Sequence, residues 1–405
     1  MNAIEKKYVL PFALVTLLFL LWGLANNMTD TLLAAFKRIM QMSDTQTSLI
    51  QFAFYGSYFC FALPAAIFIR HKSYKAGIIL GLLLYATGAI LFFPAAETAS
   101  YAFYLIAIYI MAGGCSVLET TANPYILSMG SPETATRRLN IAQSFNPIGS
   151  ILGILASKFF ILDEISLYSI SGTYASLGVL LLFILVAMLF IKMPAGRDTD
   201  KQDTLSATFR RLFSNNSYRW GVVAQFFYVG AQIGVWSYTI RIVMQELGIL
   251  EAEASTIYLI SIIGFCLSRF VYTWLMEWFA PARLLAVGGV LSTLMALIVA
   301  FAPGTGWVLV TALILISSFM SLMFPTIYGI ALEEVAEGEH PEDSKIGASI
   351  LIMAILGGAL LTPLQGVLSD ATTINISYFV PAFCFVVVTL YAIIVKPQQP
   401  CVDAE

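Results

Sequence analysis

Three ionisable side chains, Asp30, Glu119 and Arg269, stand inside long apolar stretches. Charge within hydrocarbon is costly, and a residue that keeps it there usually has a task. A carboxylate in such surroundings is cheaper with a proton on it, so Asp30 and Glu119 suit groups that take up and release a proton. Amides and aromatics accompany them at helical spacing. Trp22, Asn26 and Asp30 follow at i, i+4 and i+8 and share a helix face, with Asn27 beside them. Glu119 and Asn123 repeat the i, i+4 spacing, and Pro124, which cannot donate a backbone hydrogen bond, follows at once. Asn140, Gln143 and Asn146 run at i, i+3, i+6 and are followed by Pro147; Gln225, Tyr228 and Gln232 run at i, i+3, i+7, with Trp236 four residues on.

An amide or carboxylate can answer a hydroxyl that both donates and accepts. An aromatic ring packs on the apolar face of a pyranose. The set therefore suits a neutral sugar. A drug exporter would need a greasier cavity, and an amino-acid carrier would need sites for both charged ends of its substrate. The plain alternative for each Asn or Gln is a hydrogen bond joining two helices, worth about 0.6 kcal/mol. Arg269 fits either a substrate ligand or the partner of a membrane carboxylate.

The elements that position these residues follow from composition. Of 405 residues, 59% are apolar and only 11% charged, against about 25% charged in a soluble domain. That excludes a cytosolic enzyme, a nucleic-acid binder and a disordered chain, and it points to an all-α protein that crosses a bilayer many times. Net charge is −3 and there is no basic tract for nucleic acid. The five cysteines form no disulfide framework, and the two histidines, His71 and His340, lie in polar connections. No cofactor, metal or haem ligand set is expected.

A spanning helix needs roughly 20 apolar residues. Twelve stretches qualify, near 8–35, 47–69, 76–95, 101–129, 138–162, 172–192, 218–246, 254–276, 282–302, 306–331, 346–368 and 376–395. The first follows Lys6 and Lys7 but lacks a small-residue cleavage site, so it reads as a membrane helix and not a signal peptide. With the N-terminus inside, 16 of the 21 basic residues fall on inner segments, only Lys37, Arg38 and Lys158 fall outside, and Arg241 and Arg269 lie within spans. This bias places both termini in the cytoplasm. The hydrophilic stretch 194–217 reads as a cytoplasmic linker between two six-helix bundles, 1–193 and 218–405. A faint echo between Asn123-Pro124-Tyr125-Ile126 and Phe324-Pro325-Thr326-Ile327 supports a parallel repeat, the architecture of major facilitator transporters. Gly113-Gly114 and Gly357-Gly358 read as points of close helix approach, and the acidic segment 333–345 as a solvated face.

Several motifs together resemble the fucose/galactose/glucose:proton symporter family of the major facilitator superfamily, its L-fucose:proton branch in particular. They are Trp22-Gly-Leu-Ala-Asn26-Asn27-Met-Thr-Asp30, Ser73-Tyr74-Lys75-Ala76-Gly77, Leu118-Glu119-Thr-Thr-Ala-Asn123-Pro124, Arg138-Leu-Asn140-Ile-Ala-Gln143-Ser-Phe-Asn146 and Gln225-Phe-Phe-Tyr-Val-Gly-Ala-Gln232. The resemblance spans nearly the whole chain. It implies that Asp30 and Glu119 match two membrane acids linked to proton coupling. It implies that Asn27, Gln143 and Asn146 match cavity residues of the first half, and that Arg269 matches a cavity arginine of the second. One departure stands out: Phe324 occupies the place of a tyrosine in the L-fucose carrier. The expected partners are a monosaccharide, a proton and the lipid bilayer of a bacterial inner membrane, with the chain a monomer.

Other classes fit less well. An intramembrane enzyme needs a nucleophile–base pair or metal ligands at helical spacing, and none is present. A sugar sensor usually adds a soluble signalling domain, for which the tail from Lys396 is too short. A sodium-coupled or uncoupled hexose carrier of the same fold remains the rival within the class.

Overall fold

The structure, a computed structural model, describes residues 6–39, 44–160, 166–194, 204–338 and 340–395. Within them the protein is helical, with no strand. The helices are α1 (Val9–Ile39), α2 (Asp44–His71), α3 (Tyr74–Ile90), α4 (Phe92–Thr98), α5 (Tyr101–Leu127), α6 (Ala135–Gln143), α7 (Phe145–Phe160), α8 (Leu167–Phe190), α9 (Leu205–Ser214), α10 (Asn216–Leu247), α11 (Glu251–Leu275), α12 (Pro281–Phe301), α13 (Trp307–Phe319), α14 (Met323–Glu337), α15 (Asp343–Met353), α16 (Leu356–Ala371) and α17 (Phe379–Ile394).

Among the described residues, nine helices are long and apolar enough to cross a membrane, counting the broken pairs α3–α4, α13–α14 and α15–α16 as one each. The helix α1, apolar over Val9–Ala25, the pair α6–α7 and the helix α10 fall outside that set. The pair α6–α7 carries Arg137, Arg138, Asn140 and Gln143, and α10 carries Arg219, Gln225, Gln232 and Arg241, so in these two the polar residues of interest are what lower the hydropathy.

Two breaks have a local cause. Proline has no N–H to offer the carbonyl four residues before it. Pro147 therefore frees the carbonyl of Gln143 at the junction of α6 and α7, and Pro325 frees that of Ser321 between α13 and α14. Helix ends are also closed by side chains. Ser73 caps α3 by accepting from the Ala76 N–H at 3.1 Å, and Lys75 donates to the carbonyls of Leu189 and Ile191, both at 2.8 Å, at the end of α8. Fully buried Arg138 donates to the carbonyls of Leu127 at 2.7 Å and Ser131 at 2.9 Å, and so ties the end of α5 to α6.

The expectation for the glycine pairs holds. A Cβ on Gly114 would collide with the backbone of Tyr85, and one on Gly357 with the carbonyl of Phe226. Small residues let α5 approach α3, and α16 approach α10, at backbone distance.

Helices α1 to α8 pack chiefly on one another, as do α10 to α17. The two groups meet where α15 rests on α2 and α5, α14 on α6, and α11 on α7. At one end, here called the basic end, Arg137 bonds Glu277 and Lys345 donates to the Ile69 carbonyl directly across this boundary, while α9 is tied to α2 through Arg70 and to α15 through Arg211.

Two features of that end correct the sequence reading. The stretch 194–217 is not only a linker, since it contains α9, capped by Thr204 and with Thr208 and Leu212 buried. The acidic segment is not a solvated face throughout. Glu342 is 4% exposed and Asp343 2%, and Asp343 accepts from Arg211 Nε at 2.7 Å, Arg211 Nη2 at 2.9 Å and Thr208 Oγ1 at 2.8 Å. A fork of two donors on one carboxylate holds α9 against α15, while Arg70 reaches Thr208 from α2 at 3.4 Å.

Candidate functional site

Glu119 projects from the middle of α5 and is 1% exposed. Neither of its carboxylate oxygens has a hydrogen-bond partner. One turn on, Asn123 is fully buried; its Oδ1 accepts from Gln143 Nε2 at 2.9 Å, while its own Nδ2 has no partner. Thus α5 and α6 present a carboxyl and two amides in one place, two of the three sharing a hydrogen bond.

Trp22 of α1 is 9% exposed and stacks on Tyr58 of α2 at 6.4 Å between ring centroids. The Trp22 indole N–H and the Tyr58 hydroxyl are both buried without a partner. Tyr58 also lies within electrostatic reach of Glu119. The first half therefore sets Tyr58, one ring of that aromatic pair, near its acid. Asn27 is half-buried and donates to the Gly23 carbonyl of its own helix at 3.2 Å. Asn146 donates to the Phe19 carbonyl of α1 at 3.2 Å, which joins α7 to α1. The side chains of Asn26 and Asp30 lie outside the described residues.

In the second half, Gln225 and Tyr228 are fully buried on α10, and both amide atoms of Gln225 and the Tyr228 hydroxyl lack partners. Gln232 and Trp236, further along α10, are half-buried; Trp236 donates to Ser317 Oγ at 3.3 Å and meets the Phe265 ring edge-on at 5.1 Å. Phe324, at the start of α14, is half-buried between the rings of Tyr228, 6.4 Å away, and Tyr328, 6.3 Å away.

Arg269 is 3% exposed and links the two halves. Its Nε donates to the Ser321 carbonyl at 2.6 Å and its Nη1 to the Gln143 carbonyl at 3.0 Å. Its guanidinium lies over the Phe265 ring at 4.6 Å, a cation–π contact. Among the described residues no carboxylate pairs with it. Of the two roles open from sequence, partner of a membrane acid thus finds no support in this conformation.

The arrangement comprises an unpartnered acid, unsatisfied amides and hydroxyls, and aromatic plates on both sides of a boundary between two helix groups. Such a surface can hold a polyhydroxylated neutral molecule and a proton together.

Comparison with known proteins gives the family. The Major Facilitator Superfamily pattern matches residues 15–343. An L-fucose-proton symporter of Haemophilus influenzae is 42% identical over 96% of this chain and 98% of its own length. This chain belongs to the fucose/galactose/glucose:proton symporter family of the Major Facilitator Superfamily. A glucose/galactose transporter of Brucella abortus is 31% identical, covering 96% of this chain and 95% of its own. A crystal structure of the transporter FucP in the outward conformation superposes with a TM-score of 0.88 at 36% identity, covering 96% of this chain and all of that one.

Within this family member, sequence reasoning missed three groups of the site. Tyr58 and Tyr328 were hidden because a tyrosine in a membrane span is ordinary packing material until its hydroxyl is seen to lack a partner. Thr326 was missed because its partner is 186 residues away: its hydroxyl meets Asn140 Nδ2 at 3.3 Å across the boundary. The echo Phe324-Pro325-Thr326-Ile327 was the one available signal for that region.

Proposed function

We propose that this chain carries a neutral monosaccharide, L-fucose or a related hexose, together with a proton across the bacterial inner membrane by alternating access. It is a transporter and not an enzyme. Twelve spans form two six-helix bundles, 1–193 and 218–405, joined by the cytoplasmic segment 194–217, with both termini in the cytoplasm and the chain acting as a monomer. The observation that carries the reading is Glu119, an acid with neither oxygen bonded, buried among unsatisfied amide and hydroxyl groups.

The basic end is the cytoplasmic end in this reading, by the excess of Lys and Arg there. The halves are clasped at that end by Arg137 with Glu277, Asn140 with Thr326, and Arg211 with Asp343 through α9. In this reading the carrier stands open to the outside. Trp22, Asn26, Asn27, Asn123, Gln143 and Asn146 from the first half, and Gln225, Gln232, Trp236, Arg269 and Phe324 from the second, are the residues that meet the sugar or shape its site. Asp30 and Glu119 take the proton. A neutral carboxyl passes through the apolar interior more cheaply than an anion, so protonation from outside favours the loaded turn inward. One charge moved across 100 mV supplies about 2.3 kcal/mol, enough for roughly fifty-fold accumulation of a neutral sugar.

Labelled-sugar uptake in reconstituted vesicles, with a panel of unlabelled competitors, tests this. Adding the preferred sugar in sodium-free medium should make the medium more alkaline. Uptake that needs sodium, or that equilibrates with no proton movement, would overturn the coupling.

A further inference from the structure

Four buried polar atoms near Phe324 lack partners: the Tyr328 hydroxyl, both carboxylate oxygens of Glu119 and the Nδ2 of Asn123. Their residues are 0%, 1% and 0% exposed. Tyr328 comes from α14 and the other two from α5, so the group straddles the boundary between the halves. The Tyr328 hydroxyl and the Glu119 carboxyl both lie close to the Asn123 side chain, yet neither makes a well-formed hydrogen bond to it. Buried polar atoms nearly always find a partner, and each left without one costs about 1–3 kcal/mol. Four such atoms in one place fit a partner that comes and goes. A hydroxyl, a carboxyl and an amide donor are together the complement of adjacent sugar hydroxyls.

Tyr328 follows Phe324 at i+4 on the same face of α14, its ring stacked on Phe324 at 16°. Of the two stacked rings only that of Tyr328 carries a hydroxyl, one helical turn beyond Phe324, about 5.4 Å along α14.

Resting on the sugar-transport reading, we propose that Tyr328 is a specificity-determining residue whose hydroxyl, with Glu119 and Asn123, reads one sugar hydroxyl at the deep end of the site. A site built to hydrogen-bond a hydroxyl rejects the analogue that lacks it.

Uptake of the best-carried hexose is measured in vesicles, with deoxy analogues that each lack one hydroxyl as competitors. Tyr328→Phe removes the hydroxyl and keeps the ring. The expected result is a rise of about tenfold in KM with kcat within about twofold, and loss of discrimination against one particular deoxy analogue. A role in packing alone would weaken all analogues alike. Either that uniform loss or an unchanged competition order overturns the inference. Should Tyr328→Phe not accumulate in the membrane, the exchange Phe324→Tyr with Tyr328→Phe keeps both rings and one hydroxyl; a changed competition order supports the inference and an unchanged one overturns it. A wild type that carries no sugar sinks the transport reading and this inference with it, whereas a transporting wild type with an indifferent Tyr328→Phe sinks the inference alone.

Discussion

Arg269 donates to the carbonyl of Gln143 at 3.0 Å, and that carbonyl is free because Pro147, four residues on, has no N–H to give it. The same guanidinium takes the Ser321 carbonyl at 2.6 Å, released in the same way by Pro325. One arginine therefore joins two proline-made vacancies, one in each half. Its planar fork spans both, which a lysine ammonium on a single stem cannot do in the same geometry. A charged hydrogen bond contributes about 1.5–3 kcal/mol, so loss of one should slow turnover roughly tenfold or more. Arg269→Lys should retain expression and lose most uptake. Pro147→Ala should partly mimic it, since an N–H at 147 competes for the Gln143 carbonyl. Initial uptake rates check both, and a fully active Pro147→Ala would show that the vacancy does not matter.

Glu119→Gln keeps the shape and removes the titrating group. In a proton symporter, wild-type accumulation should fall as the outer medium is made alkaline, because the loaded form needs the proton. Glu119→Gln should show no accumulation at any pH while keeping sugar exchange between equal solutions, because its neutral amide resembles the protonated acid. Parallel measurements of counterflow and of uphill uptake separate the two. Uphill uptake at the wild-type level in this variant would remove Glu119 from the coupling role.

At the basic end, Asp343 gathers Arg211 and Thr208 onto α15. Asp343→Asn leaves a similar shape but replaces charge-assisted bonds with weaker ones. A loss of about 1–2 kcal/mol should shift the balance between closed and open forms at this end roughly tenfold. A cysteine placed at Ser128, which lines the cleft between the halves there beside Gly329 and Pro341, should react faster with a water-soluble thiol reagent in the Asp343→Asn background. Equal rates in the two backgrounds would mean that the clasp does not hold the end shut.

Glu119 and Arg269 were legible in the sequence because a charge inside an apolar run is a local signal that needs no partner to be noticed. The helix positions were legible for the same reason. The partners were not. Asp343 meets Arg211 from 132 residues away, and the acidic run around it looks like any solvated loop until α9 folds over it. Pro147 and Pro325 announced two breaks in the helices, yet nothing local said that one arginine would serve both freed carbonyls. Tyr328 was invisible as a polar group because its significance lies in a bond that its hydroxyl does not make.

Among the described residues, the hydrogen bond from Gln143 Nε2 to Asn123 Oδ1, 2.9 Å long, is the one side-chain bond that joins two of the proposed sugar-site amides. Both residues are almost wholly buried, at 3% and 0% exposed. Gln143→Leu would leave Asn123 Oδ1 without a donor, at a cost of about 1–3 kcal/mol, and would free the Asn123 side chain to turn towards Glu119. Stability should therefore fall by a few degrees in thermal unfolding of the purified protein, and sugar KM should rise while proton coupling persists. Gln143→Glu offers the contrast, since a protonated carboxyl can still donate to Asn123 whereas a charged one cannot. Its sugar affinity should fall as pH rises, and a pH-independent KM in Gln143→Glu would show that the Asn123 contact does not shape the sugar site.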